Sequence, residues 1–388
     1  MRILHTADWH LGRRLGRFDR DDDFRAALDQ VVEHAHATRA DVVLVAGDLL
    51  ESARPTVEAL RLMLETLERL AEGGRQVVAI AGNHDPPAMF ELLAPLLRSR
   101  RIHLVGEVKR PDDGGIVDLE IGDERLAVGC LPFLREGRVV DFTSASGRWH
   151  GAYADRLRRV AEAYSKALVS RGPDVIKVLM AHFLIDGVLL GRGDAAGQPR
   201  GERPLHLGQA WAATHQAIPA GPHYVALGHI HAPQTAPNSP IPAEYAGSLL
   251  ELDFGEAGEA KRVILVEATP GKPVHLETLP IRAGRPLRRV IGSWAAIQAQ
   301  REALADVWLD LVVKTNGPEP GLADRARELF PFLVKVRADY GRIAPATAPQ
   351  AGRSWDDLWS EWRVGEGRPR PSPGEVAAFR ELLEEVRE

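Results

Sequence analysis

The chain has 388 residues, 45 % of them hydrophobic, and carries a net charge of −5, proportions of a soluble globular protein with room for a catalytic core and one or two smaller units. No apolar run approaches the roughly 20 residues of a membrane span, no leader pattern fits the opening Met1-Arg2-Ile3-Leu4-His5, and the lone cysteine, Cys130, excludes an intrachain disulfide and suits a reducing cytoplasm. With no global basic field, any nucleic acid must be held by local arginines and bound metal.

In chain order, the first two-thirds alternate short apolar runs with helical patterns, the signature of an α/β fold. Strands are expected at 2–7, 41–46, 76–81, 126–131, 175–181, 223–227 and 263–267. Helical spacing appears over 55–71 (Val57, Leu60, Leu64, Leu67) and 153–170 (Leu157, Val160, Ala161, Tyr164, Leu168). The helix over 55–71 has a second apolar edge in Leu62, Met63 and Leu70, and the segment 88–97 is apolar on more than one side. Such helices bury against their own core or against a second copy. His5 and Cys130 read as buried strand residues without a role.

After about residue 280 a β-α-β-α-β unit is expected, with strands at 285–291, 307–313 and 332–337 and helices at 293–304 and 321–329. A Pro/Ala-rich connection over 343–353 leads to helices at 355–362 and 372–387. The expected division is therefore 1–280, 281–342, a linker at 343–353, and a helix pair at 354–388.

Five strand-like runs each end in residues able to bind a metal: Asp8 and His10; Gly47-Asp48; Gly82-Asn83-His84-Asp85; His182; and Gly228-His229-Ile230-His231. In open α/β sheets ligands collect beyond the carboxyl ends of strands. A lone Asp-x-His or Gly-Asp is commonplace; all five motifs in this order are not. Two Asp, one Asn and four His exceed the needs of one ion and suit a pair sharing a carboxylate. Imidazole with carboxylate, and no thiolate, points to Mn, Fe or Zn. Such a pair can clamp a phosphate for in-line attack.

On these residues the chain resembles the calcineurin-like metallophosphoesterases. The segments Arg2–Gly12, Val45–Asp48, Ala81–Asp85, Leu131–Leu134 and Ala226–His231 make it similar, within that superfamily, to the SbcD nuclease subunits. The resemblance implies a sandwich of two β-sheets flanked by helices, a small α+β capping domain over the site, and a C-terminal helix pair. It implies that Asp8, His10 and His231 hold one metal and Asn83, His182 and His229 the other, with Asp48 bridging and His84 as catalytic acid. Asp85 receives no role.

The resemblance further implies manganese, DNA as substrate, and an ATPase partner of the SbcC coiled-coil type. No Gly-x-x-x-x-Gly-Lys-Ser/Thr loop occurs, so no nucleotide is expected on this chain. Arg13, Arg14 and Arg17 are candidate contacts to the DNA backbone. Trp355, Leu358, Trp359, Trp362, Phe379, Leu382 and Leu383 are candidate contacts to the ATPase. Helices 55–71 and 88–97 are expected to form a homodimer, and the expected location is the cytoplasm, at the nucleoid. The alternatives are a phosphomonoesterase or cyclic-nucleotide phosphodiesterase, or a non-catalytic scaffold tethering DNA.

Overall fold

The apolar runs become strands and the helical spacings become their cover. The computed structural model describes residues 1–135, 153–189, 217–340, 354–365 and 369–385, with side chains beyond 380 outside the description. The expected linker 343–353 and the side chains of Leu382 and Leu383 lie outside the described residues. The chain runs β1 (Arg2–Thr6), α1 (Asp21–Ala37), β2 (Val42–Val45), α2 (Val57–Ala71), β3 (Gln76–Ile80), α3 (Pro87–Leu97) and β4 (Ile102–Val105). Then follow β5 (Ile116–Ile121), β6 (Glu124–Leu131), α4 (Tyr153–Val169), β7 (Val175–His182), β8 (Tyr224–Gly228), β9 (Gln234–Thr235), β10 (Ala243–Tyr245), β11 (Lys261–Glu267) and β12 (His275–Ile281). The remainder is β13 (Leu287–Ser293), α5 (Trp294–Gln298), β14 (Trp308–Lys314), α6 (Leu322–Leu329), β15 (Leu333–Asp339), α7 (Trp355–Gly365) and α8 (Pro373–Glu385).

Two six-stranded sheets have the orders β12-β11-β1-β2-β3-β4 and β5-β6-β7-β8-β10-β9. Strands β1 to β4 are mutually parallel, as are β6, β7, β8 and β10. Their near-continuous apolar composition follows from burial on both faces. Alternate residues Val42, Leu44, Val78 and Ile80 of one sheet meet Val128, Val178, Met180 and Ala226 of the other in a shared interior. Their neighbours Val43, Val45, Val77 and Ala79 pack under α1 and α2. Ala127, Leu179, Ala181 and Val225 pack under α4. The result is a helix–sheet–sheet–helix sandwich. His5 lies inside it, its Nδ1 2.9 Å from Tyr224 Oη, and burial lowers its pKa to about 3. Cys130 is buried, and burial pushes its thiol up to about 12.

Several elements depart from the sequence reading. Helix α1 is absent from that reading, although Phe24, Ala27, Leu28, Val31, Val32 and Ala35 form one buried stripe. The helix expected over 293–304 stops at Gln298. Beyond it, bonds such as Gln300 N–H to Ile297 O tighten into turns, since no apolar anchor is buried between Ile297 and Leu304. The second apolar edge of α2, Leu62, Met63 and Leu70, is buried in this chain's own core. On α3, Leu92 and Leu96 stay 69 % and 66 % exposed.

A third sheet has the order β13-β14-β15. The contacts divide the chain into Met1–Val313 with Gly321–Arg337, and Lys314–Pro320 with Ala338–Glu388. In the second unit α7 and α8 pack on each other: Trp359 stacks on Phe379 at 4.4 Å, and Arg363 pairs with Glu375 at 2.8 Å. Among the described residues no helix is long and apolar enough to cross a membrane.

Candidate metal centre

Both sheets direct the carboxyl ends of their parallel strands to one edge, and the five motifs meet there. The loop after β1 is tied to the loop after β2 by Asp8 N–H to Gly47 O (3.0 Å) and His10 N–H to Asp48 O (2.9 Å). Asp8, His10, Asp48 and His229 have φ of 52°, 51°, 51° and 94°. Four non-glycine residues in the left-handed region at one spot mark backbone strain held by the surroundings, a feature that clusters at functional sites. Gly47, at φ 93°, allows the turn and leaves space for the His182 ring. Gly228 allows the Ala46 carbonyl to approach β8, where any Cβ would collide with it.

The side chains form two clusters that share Asp48. His10, Asp48 and His84 offer ligand atoms within 4.8 Å of one another, and so do Asp48, His182 and His229. Asp48 Oδ2 is 3.6 Å from His10 Nε2 and 3.3 Å from His182 Nε2. Asn83 Oδ1 is 3.0 Å from His182 Nε2 and 2.9 Å from His229 Nδ1. His231 Nε2 faces His10 Nε2 at 3.1 Å. Asp8 accepts the His229 backbone N–H at 2.9 Å. All seven expected ligands thus converge, and His84 stands beside them.

The arrangement fits cations. His10 Nδ1 donates to Glu51 Oε2 (2.9 Å) and His231 Nδ1 to Glu256 Oε1 (3.0 Å). Each Nε2 of the neutral rings is then a lone pair, and the two face each other. His182 donates Nδ1–H to the Ala46 carbonyl (2.8 Å), so its Nε2 meets only the acceptors of Asp48 and Asn83. Acceptors that converge without donors require a proton or a metal between them. Electrostatics agree: burial works against a charged His182, but the Asp48 carboxylate outweighs it and raises the pKa to about 9. Burial also opposes ionisation of Asp48, yet His182 and then His10 hold its carboxyl well below the usual range. Burial lowers His10 to about 4 and His229 to about 3, and raises Asp8 to about 6.

Several residues that build the site were missed by sequence reasoning. Glu51 also accepts from Arg13 (2.8 Å), and His84 Nδ1 donates to its backbone carbonyl (2.7 Å). It lies three residues after Asp48, a spacing that could have flagged it. Glu256, 0 % exposed, lies 25 residues beyond His231 with no local signal. Asp85 is 0 % exposed and accepts N–H bonds from Leu50 (2.8 Å), Gly82 (2.8 Å) and Leu49 (3.2 Å). It clamps the Asp48 loop to the Asn83 loop. Arg135 donates to the carbonyls of Asn83 and Asp85 (3.3 and 2.9 Å). Phe133 stacks on His229 at 5.9 Å and shields it.

Of the arginines, Arg13 is engaged by Glu51, Arg14 is exposed and donates to Arg17 O at 2.6 Å, and Arg17 lies over the Phe18 ring at 4.8 Å. In the helix pair Trp355 and Trp362 are 57 % and 55 % exposed, while Leu358 is half-buried and Trp359 and Phe379 occupy each other.

Two family models match the chain. Residues 1–233 match the calcineurin-like phosphoesterase family and residues 283–360 the type 5 capsule protein repressor C-terminal domain. The SbcD subunit of the SbcCD nuclease of Bacillus subtilis is 32 % identical over 87 % of this chain and 85 % of its own length. That of Rhodobacter capsulatus is 29 % identical, covering 90 % of each. The DNA double-strand break repair protein Mre11 of Aeropyrum pernix is 27 % identical over 82 % of this chain and 74 % of its own.

Proposed function

Because the chain belongs to the calcineurin-like phosphoesterases and, within them, to the SbcD nuclease subunits, we propose that it hydrolyses DNA phosphodiester bonds as the nuclease subunit of an SbcCD-type complex. The reading rests above all on Asp48, a buried carboxylate common to two clusters of side chains able to hold a metal. Manganese is the metal we favour, with iron or zinc as alternatives. When bound, such a pair supplies Lewis-acid stabilisation of the phosphoryl group in an in-line displacement. Asp8, His10 and His231 would hold one ion and Asn83, His182 and His229 the other, with Asp48 between. His84, its Nδ1 fixed on the Glu51 carbonyl, would offer its protonated Nε2 to the leaving oxygen. Arg13, Arg14 and Arg17 would offer guanidinium groups to the DNA backbone.

The ATP-driven partner is an SbcC-type coiled-coil ATPase, and the exposed Trp355 and Trp362 offer it aromatic anchors. The bare Leu92 and Leu96 of α3, with Val57 on α2, suit pairing with a second copy. Such work belongs in the cytoplasm, at the nucleoid. The test compares substrates: full-length chain stripped of metal is given Mn2+ with single-stranded DNA, with p-nitrophenyl phosphate, or with a cyclic nucleotide. DNA cleavage that disappears with chelator and returns with Mn2+ is expected. Turnover of a small ester without DNA cleavage would overturn the assignment.

A further inference from the structure

The two candidate metal positions differ in what stands behind their imidazoles. His10 and His231, which face each other, are each backed by a carboxylate, Glu51 at 2.9 Å and Glu256 at 3.0 Å. Both carboxylates are themselves held. Glu256 accepts from Lys261 Nζ (2.7 Å) and Leu252 N (3.0 Å), all in the buried interior. Lys261 is fixed in turn by the His231 carbonyl, Ser248 and Glu259. Glu51 has Arg13 at 2.8 Å. Each cation holds its carboxylate against rotation away from the ring. Across the site, among the described residues, no carboxylate stands behind an imidazole: His182 donates Nδ1–H to the Ala46 carbonyl, and His229, whose Nδ1 faces its fellow ligand Asn83, lies against Phe133. On the second side Asn83 adds a neutral oxygen, its Oδ1 3.0 Å from His182 Nε2.

We propose that Glu51 and Glu256 are positioning residues that make the His10–His231 position the tighter of two manganese sites, and the Asn83–His182–His229 position the more readily exchanged. This rests on the two-metal reading above. A carboxylate accepting Nδ1–H fixes the tautomer, aims the Nε2 lone pair and raises the basicity of the ring as a ligand. A carbonyl fixes the tautomer with less gain in basicity. Two such carboxylates act on one position and, among the described residues, none on the other, so the affinities should split.

The test is calorimetric titration of Mn2+ alone into the metal-free full-length chain, with free Mn2+ followed by paramagnetic resonance. The wild type should bind two ions in unequal steps. Asn83→Ala should abolish the weaker step and spare the tighter, which assigns them. Glu51→Gln and Glu256→Gln should each weaken the tighter step by about 10–100-fold and leave the weaker within about twofold. A merely structural contribution would instead lower the melting temperature of the metal-free chain and weaken both steps together. Glu51 is 24 % exposed, so its glutamine variant tests the proposal even where Glu256→Gln does not fold. Two equal steps in the wild type, or a tighter step untouched in Glu51→Gln, would overturn the proposal while leaving the two-metal reading intact. Fewer than two ions in the wild type would overturn both.

Discussion

Asp85 carries no expected chemistry, yet its removal should be among the costliest single changes in the nuclease core. Its carboxylate receives three backbone N–H groups, those of Leu49, Leu50 and Gly82, at 2.8–3.2 Å. Asp85→Ala orphans all three in a place with no solvent access. An unsatisfied buried donor costs about 1–3 kcal/mol. A water admitted to the vacated space can restore part of this, so about 3–5 kcal/mol is expected. That is a large share of the ~5–15 kcal/mol by which domains are stable. Asp85→Asn keeps one acceptor oxygen, enough for Leu49 and Gly82, which share Oδ2. Its amide then opposes the Leu50 N–H, a cost of about 1–3 kcal/mol. Urea denaturation of the metal-free chains measures both. If Asp85→Ala shifts the unfolding free energy by less than about 1 kcal/mol, the clamp is refuted. Unchanged stability with lost Mn2+ binding would instead make Asp85 a ligand.

Four further outcomes are expected. Asp48→Ala should lose at least one Mn2+ and all DNA cleavage, because two cations then repel without shared negative charge; full occupancy of both sites by anomalous diffraction would refute the bridge. His84→Ala should keep both metals and DNA affinity but cleave about 10²-fold more slowly, and a parallel loss of metal would move His84, which lies near His10 and Asp48, among the ligands. Truncation before Trp355 should spare Mn2+-dependent cutting of single-stranded DNA and abolish association with an SbcC-type ATPase, as read by co-purification. Leu96→Glu, on an exposed site, should leave the melting temperature within about 2 °C and turn a dimer into a monomer by light scattering; a dimer that persists would refute pairing through α3.

Much of the site was legible before any fold was known. A strand buried on both faces must be a short apolar run, and residues just past its carboxyl end are adjacent in the chain, so Asp8, Asp48, Asn83, His182 and His229 could be read as strand-end groups by local pattern alone. Local pattern carries no information on which surfaces meet. It did not reveal α1, whose buried stripe of Phe24, Ala27, Leu28, Val31, Val32 and Ala35 is interleaved with charged and polar residues, nor the edge strand β12, where only Ile281 is buried. It left open whether Leu62 and Met63 or Leu92 and Leu96 face outward, because an apolar face looks the same covered or bare. Tertiary structure decided that. It also brought Glu256 behind His231 across a separation of 25 residues, and set Asp85 across the space between two loops 35 residues apart. Candidate ligands can be read from residue chemistry along the chain; the carboxylates behind them arrive only when distant segments pack, and their pairing depends on the whole sandwich closing.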